Sequence, residues 1–207
     1  MKKGFTLIEM LVVIGIIAVL AGASIGVFAK ASKKAQLAKG RELVSNVATA
    51  LATIYQQSGH WPEALVNANG QNDWKLGEEA ALVLARKGVL SLSYNKTDDG
   101  VYTLTGPDRF GIVDPWAYAV LKRDETVGKN APVPSGKTVD DHFLRFAIDV
   151  DGRGFTEATV CGKKISVRAP AIVWSTGPDG RFDDFDKAGR SDDIFSFRIG
   201  QVKQGGE

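Results

Sequence analysis

Six aspartates (Asp179, Asp183, Asp184, Asp186, Asp192 and Asp193) crowd one stretch near the C-terminus, among Gly177, Gly180 and Gly189. Carboxylates packed so closely repel unless water or a cation screens them. Calcium takes six to eight oxygen ligands from carboxylates and carbonyls, and a glycine-rich loop can fold around it. The competing reading is a solvated acidic loop, partly neutralised by Arg181, Lys187 and Arg190. Asp149-Val150-Asp151-Gly152 opens like an EF-hand loop, but the third acidic ligand is missing and Val160 stands at the twelfth position; a strand end and turn is the better reading. His60 and His142 lack any paired metal-ligand spacing, so His60 reads as a turn residue and His142 as a weak acid–base candidate. Cys161 has no catalytic context. No nucleophile elbow and no phosphate loop occur. Asn95-Lys96-Thr97 fits a glycosylation sequon, a tripeptide common by chance.

A seventh carboxylate sits in the opposite environment. Glu9 is the only charge in the apolar run from Phe5 to Ala29, which follows the short basic leader Met1-Lys2-Lys3-Gly4. About twenty helical residues span a bilayer core. A carboxylate there costs roughly 2.5–3.5 kcal/mol on insertion scales and marks function by default. Gly15, Gly22, Ala23, Ser24 and Gly26 would let helices approach closely. The run is too long for a cleaved secretory signal, whose apolar region is about 7–15 residues. A plain signal anchor would leave Glu9 unexplained. One cue points the other way. Lys30, Lys33, Lys34, Lys39 and Arg41 follow the run, and counting positive charge would place the C-terminal part in the cytoplasm.

Behind this run stand the elements that must carry it. Leu37, Val44, Val47, Leu51 and Ile54 recur at helical spacing, so one helix is expected from Phe5 to Ser58, roughly 80 Å long. Gly59 caps it and Pro62 follows. Gly40 is a weak point in it, about 1 kcal/mol worse than alanine. The expected division is a leader at 1–4, a membrane or filament-core helix at 5–29, its amphipathic continuation at 30–59 and a globular head at 60–207. In the head, Glu78 to Lys87 reads as a helix with Leu82 and Ala85 inward. Strand-like runs follow at Val101–Leu104, Tyr118–Leu121, Phe143–Val150, Ile165–Arg168, Ile172–Ser175 and Ile194–Ile199. Gly106-Pro107, Asp114-Pro115 and Gly177-Pro178 punctuate them as turns. Helices followed by strands predict an α+β fold with an antiparallel sheet. Trp61, Trp74, Trp116 and Trp174 are scattered as core or turn residues rather than a stacking platform.

Composition narrows the class. With 207 residues, 44% hydrophobic and 24% charged, the chain is neither disordered nor a multi-span membrane protein. A single cysteine excludes an intrachain disulfide framework, and a net charge of +2 argues against a nucleic-acid footprint.

Gly4-Phe5-Thr6-Leu7-Ile8-Glu9-Met10 closely resembles the processing motif of type IV pilins and type II secretion pseudopilins. The resemblance implies cleavage between Gly4 and Phe5 by prepilin peptidase, methylation of the new amine at Phe5, and pairing of Glu9 with that amine on a neighbouring subunit. It implies a non-enzymatic subunit of a homo-oligomeric filament, a single-pass protein of the bacterial inner membrane with a periplasmic head. The expected partners are other pseudopilins, an assembly platform and a cytoplasmic ATPase. Trp61-Pro62, Asp114-Pro115-Trp116 and the Gly-x-Asp-Gly start and Asp-Asp-Ile end of the acidic loop resemble the major, G-type pseudopilin. That likeness implies structural calcium held by Asp179, Ser191, Asp192 and Asp193, with Asp183, Asp184 and Asp186 as second choices. The stretch from Lys122 to Ala169 is longer than that family's usual connection. The expected function is that of a type II secretion pseudopilin, whose periplasmic filament drives protein export; the alternatives are a type IV pilin for adhesion, twitching or DNA uptake, and a membrane-tethered binding or enzymatic domain.

Overall fold

The computed structural model describes residues 7–70, 74–97, 101–105, 111–117, 139–160, 162–182 and 193–198; for 21–27, 29, 139 and 140 only the backbone is described. The order of elements is α1 (Leu7–Ser58), α2 (Glu63–Ala68), α3 (Glu78–Arg86), β1 (Tyr94–Lys96), β2 (Tyr102–Leu104), β3 (Arg145–Ile148), β4 (Thr156–Val160), β5 (Lys163–Val167), β6 (Ala171–Ser175) and β7 (Ile194–Phe195). Among the described residues the strand pairs are antiparallel: β1 with β2, β4 with β5, and the three-stranded order β3-β6-β7. The fold is α+β, as the sequence predicts. The chain divides into two compact units, Met1–Ala38 and Lys39–Glu207.

The second unit takes its core from the apolar stripe of α1. Val44, Val47, Leu51 and Ile54 are buried together with Leu65, Leu84, Ile112, Phe146 and Val173. Each such side chain contributes about 1.5–3 kcal/mol on burial. α1 ends at Gly59, which has φ +68° and donates its N–H to the Tyr55 carbonyl at 2.8 Å. This is the left-handed terminus that glycine favours. Trp61 then folds back: its ring stacks on Tyr55 at 4.9 Å, and its Nε1 donates to the Asp149 carbonyl at 2.8 Å.

Both faces of β3 and β6 are buried. Phe146, Ile148 and Val173 pack towards α1, while Ala147, Ile172 and Trp174 form a second cluster with Phe195. Period-2 reasoning needs a wet face, so the sequence of β3 could not disclose which face was inward. Several expectations are corrected. The run at Ile194–Ile199 is a strand only over Ile194–Phe195, then a 3-10 turn at Ser196–Arg198. In α3 the buried residues are Ala80, Ala81, Leu84 and Ala85, with Leu82 only half-buried. β1, β4 and α2 are additional elements. Gly40 is a notch rather than a weakness: a Cβ there would lie 2.8 Å from Trp116 Cη2 and 2.9 Å from Ile194 Cδ1. The expected strand Tyr118–Leu121 and the turn Gly106-Pro107 lie outside the described residues.

Candidate functional site

Two places carry the predicted functional residues. In the first unit, Gly4 and Phe5 lie outside the described residues. Glu9 stands in the first turn of α1, where the helix dipole favours a carboxylate. Around it Leu7, Ile8, Leu11, Ile14, Ile16, Ile17, Val19 and Leu20 are all exposed, Leu7 at 81% and Val19 at 73%. An apolar patch uncovered on every side of a helix belongs in a bilayer or against other helices. Among the described residues no helix is long and apolar enough to cross a membrane; the described apolar side chains run continuously only to Leu20.

The second place is the root of the acidic loop. β6 ends at Ser175, and a 3-10 turn follows at Gly177–Asp179. Gly180 closes the turn at φ +66°, and a Cβ there would press on Asp141 and His142 at 3.1 and 3.3 Å. Asp179 Oδ1 accepts the Arg181 N–H at 2.8 Å. Asp193 is half-buried beside β7. Ser191, Asp192, Asp183, Asp184 and Asp186 lie outside the described residues. Among the described residues no group of three or more His, Cys, Asp or Glu side chains is placed to hold a metal ion.

Beneath this turn lies a polar network that the sequence did not announce. Asp114 is fully buried and His142 is 1% exposed. Asp114 Oδ1 accepts the N–H groups of Trp116 and Ala117 at 3.1 and 3.2 Å. Its Oδ2 accepts Ser175 Oγ–H at 2.9 Å, and His142 Nδ1 lies 3.1 Å from Oδ1. Ser175 Oγ in turn accepts the Gly177 N–H at 3.1 Å, and Thr176 Oγ1 donates to the Asp141 carbonyl at 2.6 Å. The residue types are those of a hydrolase triad, but the connectivity is different. In a triad the nucleophile bonds the base, which bonds the acid. Here serine and histidine both bond the aspartate, and all three are sealed from substrate. The network joins the segment 111–117, the 3-10 turn at Val139–His142 and β6 into one frame under the loop. Asp114-Pro115 was legible as a turn. Burial of its carboxylate was not, because both His142 and Ser175 are distant in sequence.

The minor candidates resolve simply. His60 Nδ1 contacts the Ser58 carbonyl at 2.7 Å in an exposed turn. Asp149 caps the turn after β3, its carboxylate accepting the N–H groups of Arg153 and Gly154 at 3.1 and 2.6 Å. Those bonds shape a turn rather than a cation cage. Cys161 lies outside the described residues.

Comparison with known proteins bears on the first place most directly. Residues 1–25 match the family model described as the prokaryotic N-terminal methylation motif. A fimbrial protein of Neisseria meningitidis serogroup B is 32% identical over 156 residues, covering 70% of this chain and 92% of that protein. A fimbrial protein of Neisseria meningitidis serogroup A is 24% identical over the same length and coverage. A type IV major pilin protein of Neisseria gonorrhoeae is 29% identical over 100 residues, 47% of this chain and 55% of that protein. No solved structure matches. These relatives are pilins, and nothing among them is specific to the type II secretion pseudopilins that the loop and turn motifs resemble. The methylation motif, the uncovered apolar helix around Glu9 and the similarity to the serogroup B protein together show that this chain belongs to the type IV pilin-like proteins.

Proposed function

We propose that this chain is the structural subunit of a type IV pilus serving adhesion, twitching or DNA uptake. Pilins are structural proteins, processed by prepilin peptidase and assembled into homo-oligomeric filaments. The observation that carries the reading is the sheath of exposed apolar side chains from Leu7 to Leu20 with Glu9 among them. In the precursor this sheath meets lipid. After cleavage between Gly4 and Phe5 it meets the same sheath on other copies, and the methylated Phe5 amine gives Glu9 a cation. A buried ion pair is a poor source of stability but a good register device. Repeated heterologous contacts of this kind build open fibres. The head then lies on the periplasmic side, or outside the cell.

A second reading, a pseudopilin driving type II secretion with an assembly platform and ATPase, is favoured by the glycine turn at Gly177–Gly180. In it, Asp179, Ser191, Asp192 and Asp193 would hold structural calcium, with Asp183, Asp184 and Asp186 in reserve. All the donors are oxygens, as calcium requires. Gene deletion separates the two readings. Loss of surface pili with secretion intact supports the pilin, and loss of secretion with pili intact supports the pseudopilin. A fall in melting temperature on adding a chelator, reversed by calcium, is expected of the calcium loop; an unchanged melting curve would remove it.

A further inference from the structure

α3 carries opposite charges at its two ends. Glu78 and Glu79 stand in its first turn, Arg86 in its last, and Lys87 follows. That order suits the helix dipole, but the β1–β2 hairpin enlarges the basic end in a way the dipole does not require. The Arg86 guanidinium lies 4.4 Å from the centre of the Tyr102 ring, and Lys96 Nζ lies 5.6 Å from the same ring. Tyr94, 40% exposed, tilts against Tyr102 at 6.0 Å. Arg86, Lys87 and Lys96 are exposed, and among the described residues no ion pair engages any of the three. A guanidinium held over an aromatic ring is pre-organised, so less freedom is lost when it meets a carboxylate. Tyrosine and arginine together are also the side chains that most often dominate protein interfaces.

The acidic end has the converse shape. Glu78 and Glu79 line a cleft of about 420 Å³ with Asn67, Ala68 and Gly77. Both carboxylates are exposed, and among the described residues neither is in an ion pair. Lys75 also lines the cleft but is already engaged within its own chain. One head therefore carries a cationic, aromatic knob and a carboxylate-lined cleft that complement each other. We propose that, within the filament, the Arg86–Tyr94–Lys96 knob of one copy docks in the Glu78–Glu79 cleft of the next. Each such contact leaves a knob and a cleft free, so it repeats without closing. This contact rests on the filament reading: α1 supplies the apolar attraction, and the charged contact fixes how neighbouring heads meet.

The test is the yield of sedimentable filaments sheared from cells making the full chain. Arg86→Glu/Lys96→Glu sets carboxylates against carboxylates, and Glu78→Lys/Glu79→Lys sets cations against cations. Each double variant should cut the yield about tenfold or more, because like charges facing across an interface are strongly unfavourable. All four changes together restore opposite charges with the sides exchanged. That variant should recover near wild-type yield, which a folding defect would not allow. Oxidised filaments of Glu79→Cys/Lys96→Cys, in a chain also carrying Cys161→Ser, should give a ladder of trimers and longer products, and either cysteine alone should give none. Wild type without filaments would remove the filament reading and this contact with it. Wild-type filaments with undiminished yield in both double variants, or no recovery when they are combined, would overturn the contact alone. Cross-linking that stops at dimers would mean a two-fold pair of heads and overturn the repeating contact. Loss in Arg86→Glu/Lys96→Glu with full yield in Glu78→Lys/Glu79→Lys would assign the knob to a different partner and overturn it as well.

Discussion

At the residue scale the clearest case is Asp114, whose carboxylate gathers four donors with no exposure to water. Asp114→Ala strands Ser175, His142 and two backbone N–H groups. Buried groups left unsatisfied cost about 1–3 kcal/mol each, so unfolding in urea should show a loss of roughly 3 kcal/mol or more. Ser175→Ala removes one donor and should cost only about 1 kcal/mol; equal losses from the two would mean the network is not centred on Asp114. Gly40 gives an opposite lesson. Helix propensity alone says that alanine there gains about 1 kcal/mol, which marks Gly40 as a weak point. The Trp116 and Ile194 side chains in the notch reverse the sign, because overpacking costs about 1–3 kcal/mol. Gly40→Ala is therefore expected to lower the melting temperature, and a rise would show that Trp116 moves aside freely.

At the element scale, legibility followed the source of the signal. α1 was readable almost to the residue because a stripe at 44, 47, 51 and 54 and a glycine terminus are local features. β6 was readable as an apolar run. α2 is six residues squeezed between Pro62 and Asn69, too short for periodicity to register. β1 is a three-residue strand with every side chain exposed, so nothing apolar marked it. The Asp114–His142–Ser175 frame depends on contacts between segments far apart in the chain, which no spacing rule sees. Within α1, Gly15 offers a test of packing between helices. Nothing lies within 4 Å of a Cβ built there, so Gly15→Ala should leave the isolated subunit as stable as before or slightly more so. If small residues let neighbouring copies approach, the same change reduces filament yield. Normal yield by sedimentation would mean that Gly15 faces no partner.

For the whole molecule, the division of labour was visible from composition: nearly all the strong hydrophobicity lies before Lys30, and the functional motif lies with it. Pilin against pseudopilin is where the sequence misleads: the loop and turn motifs favour the pseudopilin, and overall similarity to pilins favours the pilin instead. If the proposed role of Glu9 in register rather than anchoring is right, Glu9→Leu leaves membrane insertion intact and abolishes filaments. The most direct measurement of the central claim is the intact mass of the subunit from sheared filaments, compared with the chain from cells lacking prepilin peptidase. The account predicts filaments of a chain without Met1–Gly4 and with one methyl group on Phe5, and in the peptidase-deficient cells only full-length, unassembled chain. A full-length, unmethylated chain in both samples would contradict it.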